Sequence, residues 1–433
     1  MFFLLIGWVL LPYYSSTAQS SISVVQVTGK DIPSFVGKEI SKIQVQVFKQ
    51  GKWQGIPYQI DEKAFDVISK SRRWVLDQAF SRRVDLPAGD QKLDPDEVIL
   101  FMQKDMGEKA SPENTVEHPV LEIKTSAGFA YLFYDPKTQL KSSVKYVSYD
   151  PERDAIDALG YKNAFNKDHA MVQEELIPKN VKSGTPTNIL DRFKIRMLLA
   201  LKNFFDVNIE EDNVTAKRIG YKEGPIRIIR RLTIYKSLGP VRITPKADSD
   251  FLMYPYFVQI PSRLDNPIDG RKALDPKSKG FAGFDFTKFF YGAKFYSEKN
   301  PTPVIIDGNM SPAEKALNLN DINWWVVSGN QGTMMVKVVW DPALKQAGVP
   351  CDLYYMDDRN SLKPPEQDPG ESAVGFQIDF TKVPAGRYDI YVNQIFPPQS
   401  VEGSEKALFQ EIVPPVISVK EAGEGPKLAE LIK

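Results

Sequence analysis

Two residue types that build many enzyme sites are almost missing from this chain. Its 433 residues include one cysteine, Cys351, and two histidines, His118 and His169. One cysteine rules out an intrachain disulfide and leaves no C-x-x-C-H pattern for covalent haem. Two histidines cannot supply a three-histidine zinc site from one chain. A histidine-centred serine triad would have to rest on one of them, and the G-x-S-x-G elbow that often carries the serine is absent. Phosphate-cradling P-loops and dinucleotide fingerprints are absent too. The charge balance is also level, with 55 basic and 55 acidic residues. That gives no general attraction to nucleic acid, and no such partner is expected.

Long apolar runs are scarce as well. The first eighteen residues, MFFLLIGWVLLPYYSSTA, open with an apolar stretch from Phe2 to Leu11. A stretch of about 10 residues suits the core of a signal peptide and is too short to span a bilayer. Ser16, Thr17 and Ala18 offer a cleavage site, so the expectation is export to a periplasmic or extracellular space. No later segment reaches 18 consecutive apolar residues, and no transmembrane anchor is expected in the mature chain. The lack of disulfides fits a large chain, which buries enough apolar surface without them. Its composition, 42% hydrophobic and 25% charged, is that of an ordinary folded protein.

What is abundant is extended structure. Ile43-Gln-Val45-Gln-Val47 alternates with period two, as one face of a half-buried sheet does. Gln50-Gly51 reads as a turn, and Trp53 to Ile60 continues the extended chain, with Pro57 marking an edge or a bulge. Val98–Met102, the hairpin Leu121–Lys124 with Phe129–Tyr134, and Val144–Tyr149 complete a first β unit. Between Asn188 and Phe205, apolar Ile189, Phe193, Met197 and Leu201 recur every four residues among helix formers, which predicts one helix. Strand signals return from Asn213 and continue to about Phe396. The fold class expected is therefore mainly β: large antiparallel β-sandwich domains with one intervening helical segment. The division expected is a signal peptide at 1–18, a sandwich-like domain at 19–149, a helical connection at 150–212, a large sandwich at 213–399 and an extended arm at 400–433.

Three clusters offer chemistry. Asp94, Asp96 and Glu97 stand just before a strand, and alternate carboxylates in a turn can converge on calcium. Arg227, Arg231 and Arg242, with Tyr254 and Tyr256, lie on adjacent predicted strands. Arg227 and Arg231 share parity and hence a sheet face, whereas Arg230 points the other way. Such a face suits acidic sugars, because guanidinium groups fork onto carboxylates and rings stack on apolar sugar faces. Trp324 and Trp325 are neighbours in a strand and point opposite ways, so one is expected in the core and the other exposed; both stand as candidate contacts for a ligand or partner. Phe281 to Tyr291 is unusually aromatic for a loop-like segment, and Asn213 and Asn309 begin N-glycosylation triplets. The segments around Glu223-Gly-Pro-Ile-Arg-Ile and Gly239-Pro-Val-Arg-Ile resemble those of large-sandwich carbohydrate-active proteins in general look, and no residue role follows from that.

These observations lead first to an exported, non-enzymatic β-sandwich protein that binds a glycan or an envelope protein. Two alternatives stand beside it: a polysaccharide lyase or hydrolase acting on acidic glycans, and a subunit of an extracellular assembly held by the C-terminal arm.

Overall fold

The computed structural model describes residues 22–66, 70–80, 86–111, 119–202, 206–238, 241–242, 247–266, 268–360, 372–398 and 403–422. The leader segment, His118, the proline-rich loop at 363–370 and the GEGP segment at 423–426 lie outside them. The protein is mainly antiparallel β, with large sheets and a few short helices.

Its N-terminal part is two facing sheets. One holds Val24–Thr28, Val98–Met102 and Tyr58–Asp61, and the other is built on Ile43–Lys49, Gly128–Tyr134 and Leu121–Thr125. Valine, isoleucine and leucine from both faces fill the space between them, including Val25, Val45, Ile99 and Leu132. Gln50 and Gly51 both take positive φ, 52° and 74°, as a two-residue hairpin turn requires. Pro57 then marks the place where the chain leaves one sheet for the other. The strand Ile43–Lys49 differs from expectation: Gln44 and Gln46 are buried like Val45 and Val47. Trp53, Tyr131 and Phe133 pack edge to face nearby, at centroid distances of 5.0 and 5.3 Å from the indole.

The larger part combines a ten-stranded, a five-stranded and a four-stranded sheet around a large apolar core, with smaller buried clusters beside it. The helix expected over 188–205 is corrected here. Leu190–Ala200 is an eleven-residue strand, paired antiparallel with Asp206–Glu210 and with Lys279–Phe286. A spacing of four satisfies a helix period, but it also keeps parity along a strand, so Phe193 and Met197 remain on one face. Phe193 meets Phe284 at 5.2 Å. The alternate Lys194 and Arg196 reach Asp285 and Glu211 instead, and burying both ion pairs fixes the register. The first part of the aromatic stretch, Phe281 to Phe286, belongs to the central strand Lys279–Phe286 of the five-stranded sheet, and a short 3-10 turn at Lys288–Phe290 follows it. Gly283 of that strand stands opposite Gly375, where a side-chain carbon on either would come within 2.5 Å of the other's backbone.

Both parts share a second core. Val24, Leu100 and Met102 of the N-terminal sheet pack with Ile229, Tyr254, Val326, Leu408 and Phe409. Gln78–Ala79 extends the ten-stranded sheet by pairing with Gly220 and Tyr221. From the other direction, Ser418–Glu421 joins the N-terminal sheet beside Leu121–Thr125. This part of the C-terminal arm is therefore occupied within its own chain. Among the described residues no helix is long and apolar enough to cross a membrane.

Candidate functional site

The geometry of the arginines decides what they can bind. Arg227 and Arg231 are each 2% exposed and Arg230 is fully buried. Arg227 donates through Nε to Asp61 at 2.7 Å and through Nη1 to the Tyr254 hydroxyl at 2.7 Å, under the ring of Trp74. Gln59 accepts from the backbone N–H groups of Ile226 and Arg227, so this cluster joins the two parts of the protein. Arg231 forks onto Asp250 at 2.6 and 2.9 Å and donates to the Trp74 carbonyl. Arg230 points the opposite way, to Asp154, the Ala170 carbonyl and the ring of Phe165. The expected parity therefore holds, but the expected open face does not. Both faces are interior, and their guanidinium groups already hold internal carboxylates. Tyr254 and Tyr256 are buried in the shared core, Tyr254 stacked 4.4 Å from Phe257. Arg242 pairs with Ser237 through its backbone, and its side chain lies outside the described set.

Asp94, Asp96 and Glu97 do converge, but on a guanidinium. Arg72 reaches Asp94 at 2.6 Å, Asp96 at 3.1 Å and Glu97 at 3.4 Å. Glu97 is buried, accepts from the backbone N–H of Asp94 and Lys63, and has its carboxyl pushed above the ordinary range by desolvation. The position expected for calcium is thus held by Arg72. No cluster of three or more metal-ligating side chains occurs among the described residues. Cys351 is buried, and burial pushes its thiol far above the ordinary value, which leaves it inert.

The two tryptophans separate as their adjacency in a strand dictates. Trp325 is fully buried, with Phe284 and Phe376 at 5.8 and 6.4 Å. Trp324 emerges half-buried on the opposite face, where its indole meets Phe409 at 5.5 Å. On either side of it lie two cavities, of about 550 and 430 Å³, that share Glu298, Trp324 and Lys406 as lining. Together they form one groove across the end of the ten-stranded sheet.

The first cavity is bounded by the edge strand Asn300–Ile305. Pro301 and Pro303 line it there, and prolines at an edge deny ladder donors to another strand. The helix Glu405–Glu411 forms the other wall. Leu408 and Phe409 anchor it in the shared core, and Glu405 accepts from the Tyr296 hydroxyl at 2.7 Å. Glu298 accepts from the backbone and side-chain N–H groups of Asn323 at 2.9 and 3.0 Å. The wall that completes this groove comes from the segment expected to trail as an arm. Leu408, Phe409 and Ile412 have helix spacing, and that pattern was the available signal. Lys182, Lys294 and Lys337 carry no such local signal.

No protein-family model matches the chain, and no curated protein matches its sequence. Among solved structures it is similar to an alpha-mannosidase from Enterococcus faecalis V583, at 11% identity and a TM-score of 0.43 over 94% of this chain and 44% of that one. A protein of glycosyl hydrolase family 38 from Enterococcus faecalis matches at 10% identity and a TM-score of 0.40, over 93% of this chain and 49% of the other. The alpha-N-acetylgalactosaminidase NagBb from Bifidobacterium bifidum matches at 8% identity and a TM-score of 0.34, over 59% and 38%. The chain spans less than half the length of each of these proteins. No activity and no residue role is taken from them.

Proposed function

We propose that the groove at Trp324 binds a carbohydrate chain. The observation that carries this reading is the half-exposed indole itself. Trp324 lies between two contiguous cavities, is backed by Phe409, and is ringed by polar side chains. An aromatic face held firmly beside hydrogen-bonding groups suits a sugar, which presents an apolar ring face and a polar rim. The backing ring also limits the freedom the indole would lose on binding.

A second reading, cleavage of the bound chain, rests on one observation: Glu298 and Glu405 line the same cavity. Two carboxylates flanking a glycosidic bond are the working pair of most glycoside hydrolases.

One experiment addresses both readings. The full chain and its Trp324→Ala variant are titrated with a panel of oligosaccharides, and the mixtures are assayed for new reducing ends and for unsaturated uronates. The reading expects binding by at least one class, weakened about tenfold or more in the variant at an unchanged melting temperature. Binding of equal strength by Trp324→Ala would remove the groove from consideration. Product formation abolished by Glu405→Gln would favour the second reading, and binding without product the first.

A further inference from the structure

We infer that the groove selects polyanionic carbohydrate chains by charge density, accepting carboxylate and sulfate groups alike; this inference rests on the carbohydrate reading above. It starts from an imbalance. The whole chain is neutral, yet the two cavities are lined by five lysines against two glutamates. Lys182 and Lys294 line the first cavity, Lys337 and Lys345 the second, and Lys406 both.

The internal contacts of these groups leave that imbalance in place, since on both sides they are to neutral partners. Both glutamates are engaged by protein donors, Glu298 by Asn323 and Glu405 by Tyr296 and the Gly403 N–H. The lysine contacts are neutral: Lys182 donates to the Ser328 hydroxyl, Lys345 to the Asn323 side-chain oxygen, and Lys337 lies over the Phe409 ring at 5.2 Å. Among the described residues no carboxylate neutralises any of the five. Elsewhere the protein pairs its cations closely, as Arg72 with Asp94 and Arg227 with Asp61 show. The groove lining therefore carries an excess of positive charge, five lysines against two glutamates, and a concave wall concentrates its field on whatever enters.

The kind of cation sets the kind of selectivity. A guanidinium fork matches the planar geometry of a carboxylate, whereas an ammonium on a flexible stem acts as a point charge. All five cations here are lysines, so the groove reads how much charge a chain carries more than the shape of the charged group. Positive charge lies on both sides of Trp324, which suits a polymer with anionic groups on successive sugars and the indole between them.

The test titrates the full chain with three oligosaccharides of matched length: an oligogalacturonate, a sulfated oligosaccharide and a neutral malto-oligosaccharide. Each is measured at low and high salt, against wild type, Trp324→Ala and the double variant Lys294→Glu/Lys345→Glu. Lys294 and Lys345 are exposed, and the melting temperature of the double variant checks that its fold is kept. Both acidic ligands are expected to bind, with affinities within about threefold of one another and falling as salt is raised. The double variant should weaken both by about tenfold, and by more than it weakens the neutral ligand. A neutral ligand bound as tightly as the acidic ones, and lost with Trp324, would overturn the charge inference while leaving the carbohydrate reading in place. Strong preference for only one acidic group would overturn the claim of charge density. No binding by any ligand would overturn both readings.

Discussion

Replacing Asp154 by alanine should cost about 3–5 kcal/mol of folding stability, because it leaves the Arg230 charge buried without a counter-ion. Both side chains are fully buried, and the guanidinium also meets the Ala170 carbonyl and the ring of Phe165. The same carboxylate accepts from the Tyr149 hydroxyl and faces Arg218, so its loss strands three donors together. A useful contrast lies in the same protein. Arg263 and Asp389 make an exposed pair at 2.8 Å, with side chains 60% and 48% accessible. Asp389→Ala should change stability by less than about 1 kcal/mol, since water already screens that pair. Denaturant unfolding of both variants checks the comparison. Equal small losses would show that the Arg230 cluster is wetter than its geometry implies.

Trp325→Ala should be the most damaging of the tryptophan changes, at about 3–5 kcal/mol. Its indole fills the main core against Phe284 and Phe376, and a close-packed interior relaxes only in part into the space a lost side chain leaves. Trp324→Ala, one residue earlier, removes a half-exposed ring that touches Phe409 at the rim of the shared core. The pair should therefore divide cleanly: Trp325→Ala loses stability, whereas Trp324→Ala loses ligand. Melting curves read the first effect and titration the second. If Trp324→Ala were the less stable of the two, the assignment of their faces would be reversed.

The legible parts of the fold were those specified by neighbouring residues. The hairpin at 121–134 and the turn at Gln50-Gly51 follow from alternation and a permissive turn. The parity of Arg227, Arg230 and Arg231 was equally plain, because two-residue periodicity needs no tertiary information. Their burial was not plain. Their partners Asp61 and Asp154 lie 166 and 76 residues away, and an unpaired arginine in sequence looks like a ligand site. The strand at 190–200 was misread because a spacing of four fits both a helix face and a strand face. Sheet pairing and the Lys194–Asp285 ion pair decided between them. Trp324 was visible as half of a tryptophan pair, but its groove was not. Its walls come from Lys182, the edge strand near residue 300, and the helix at 405–411, which are far apart in sequence and meet only in the folded chain.

The central claim is that Trp324 is the contact face for a carbohydrate and Trp325 is not. Indole N–H resonances of the labelled full chain, followed while an acidic oligosaccharide is added, test this most directly. The Trp324 resonance should shift progressively and saturate, with the Trp325 resonance unmoved. Saturable binding that leaves Trp324 in place and perturbs Trp53, Trp74 or Trp340 instead would contradict it.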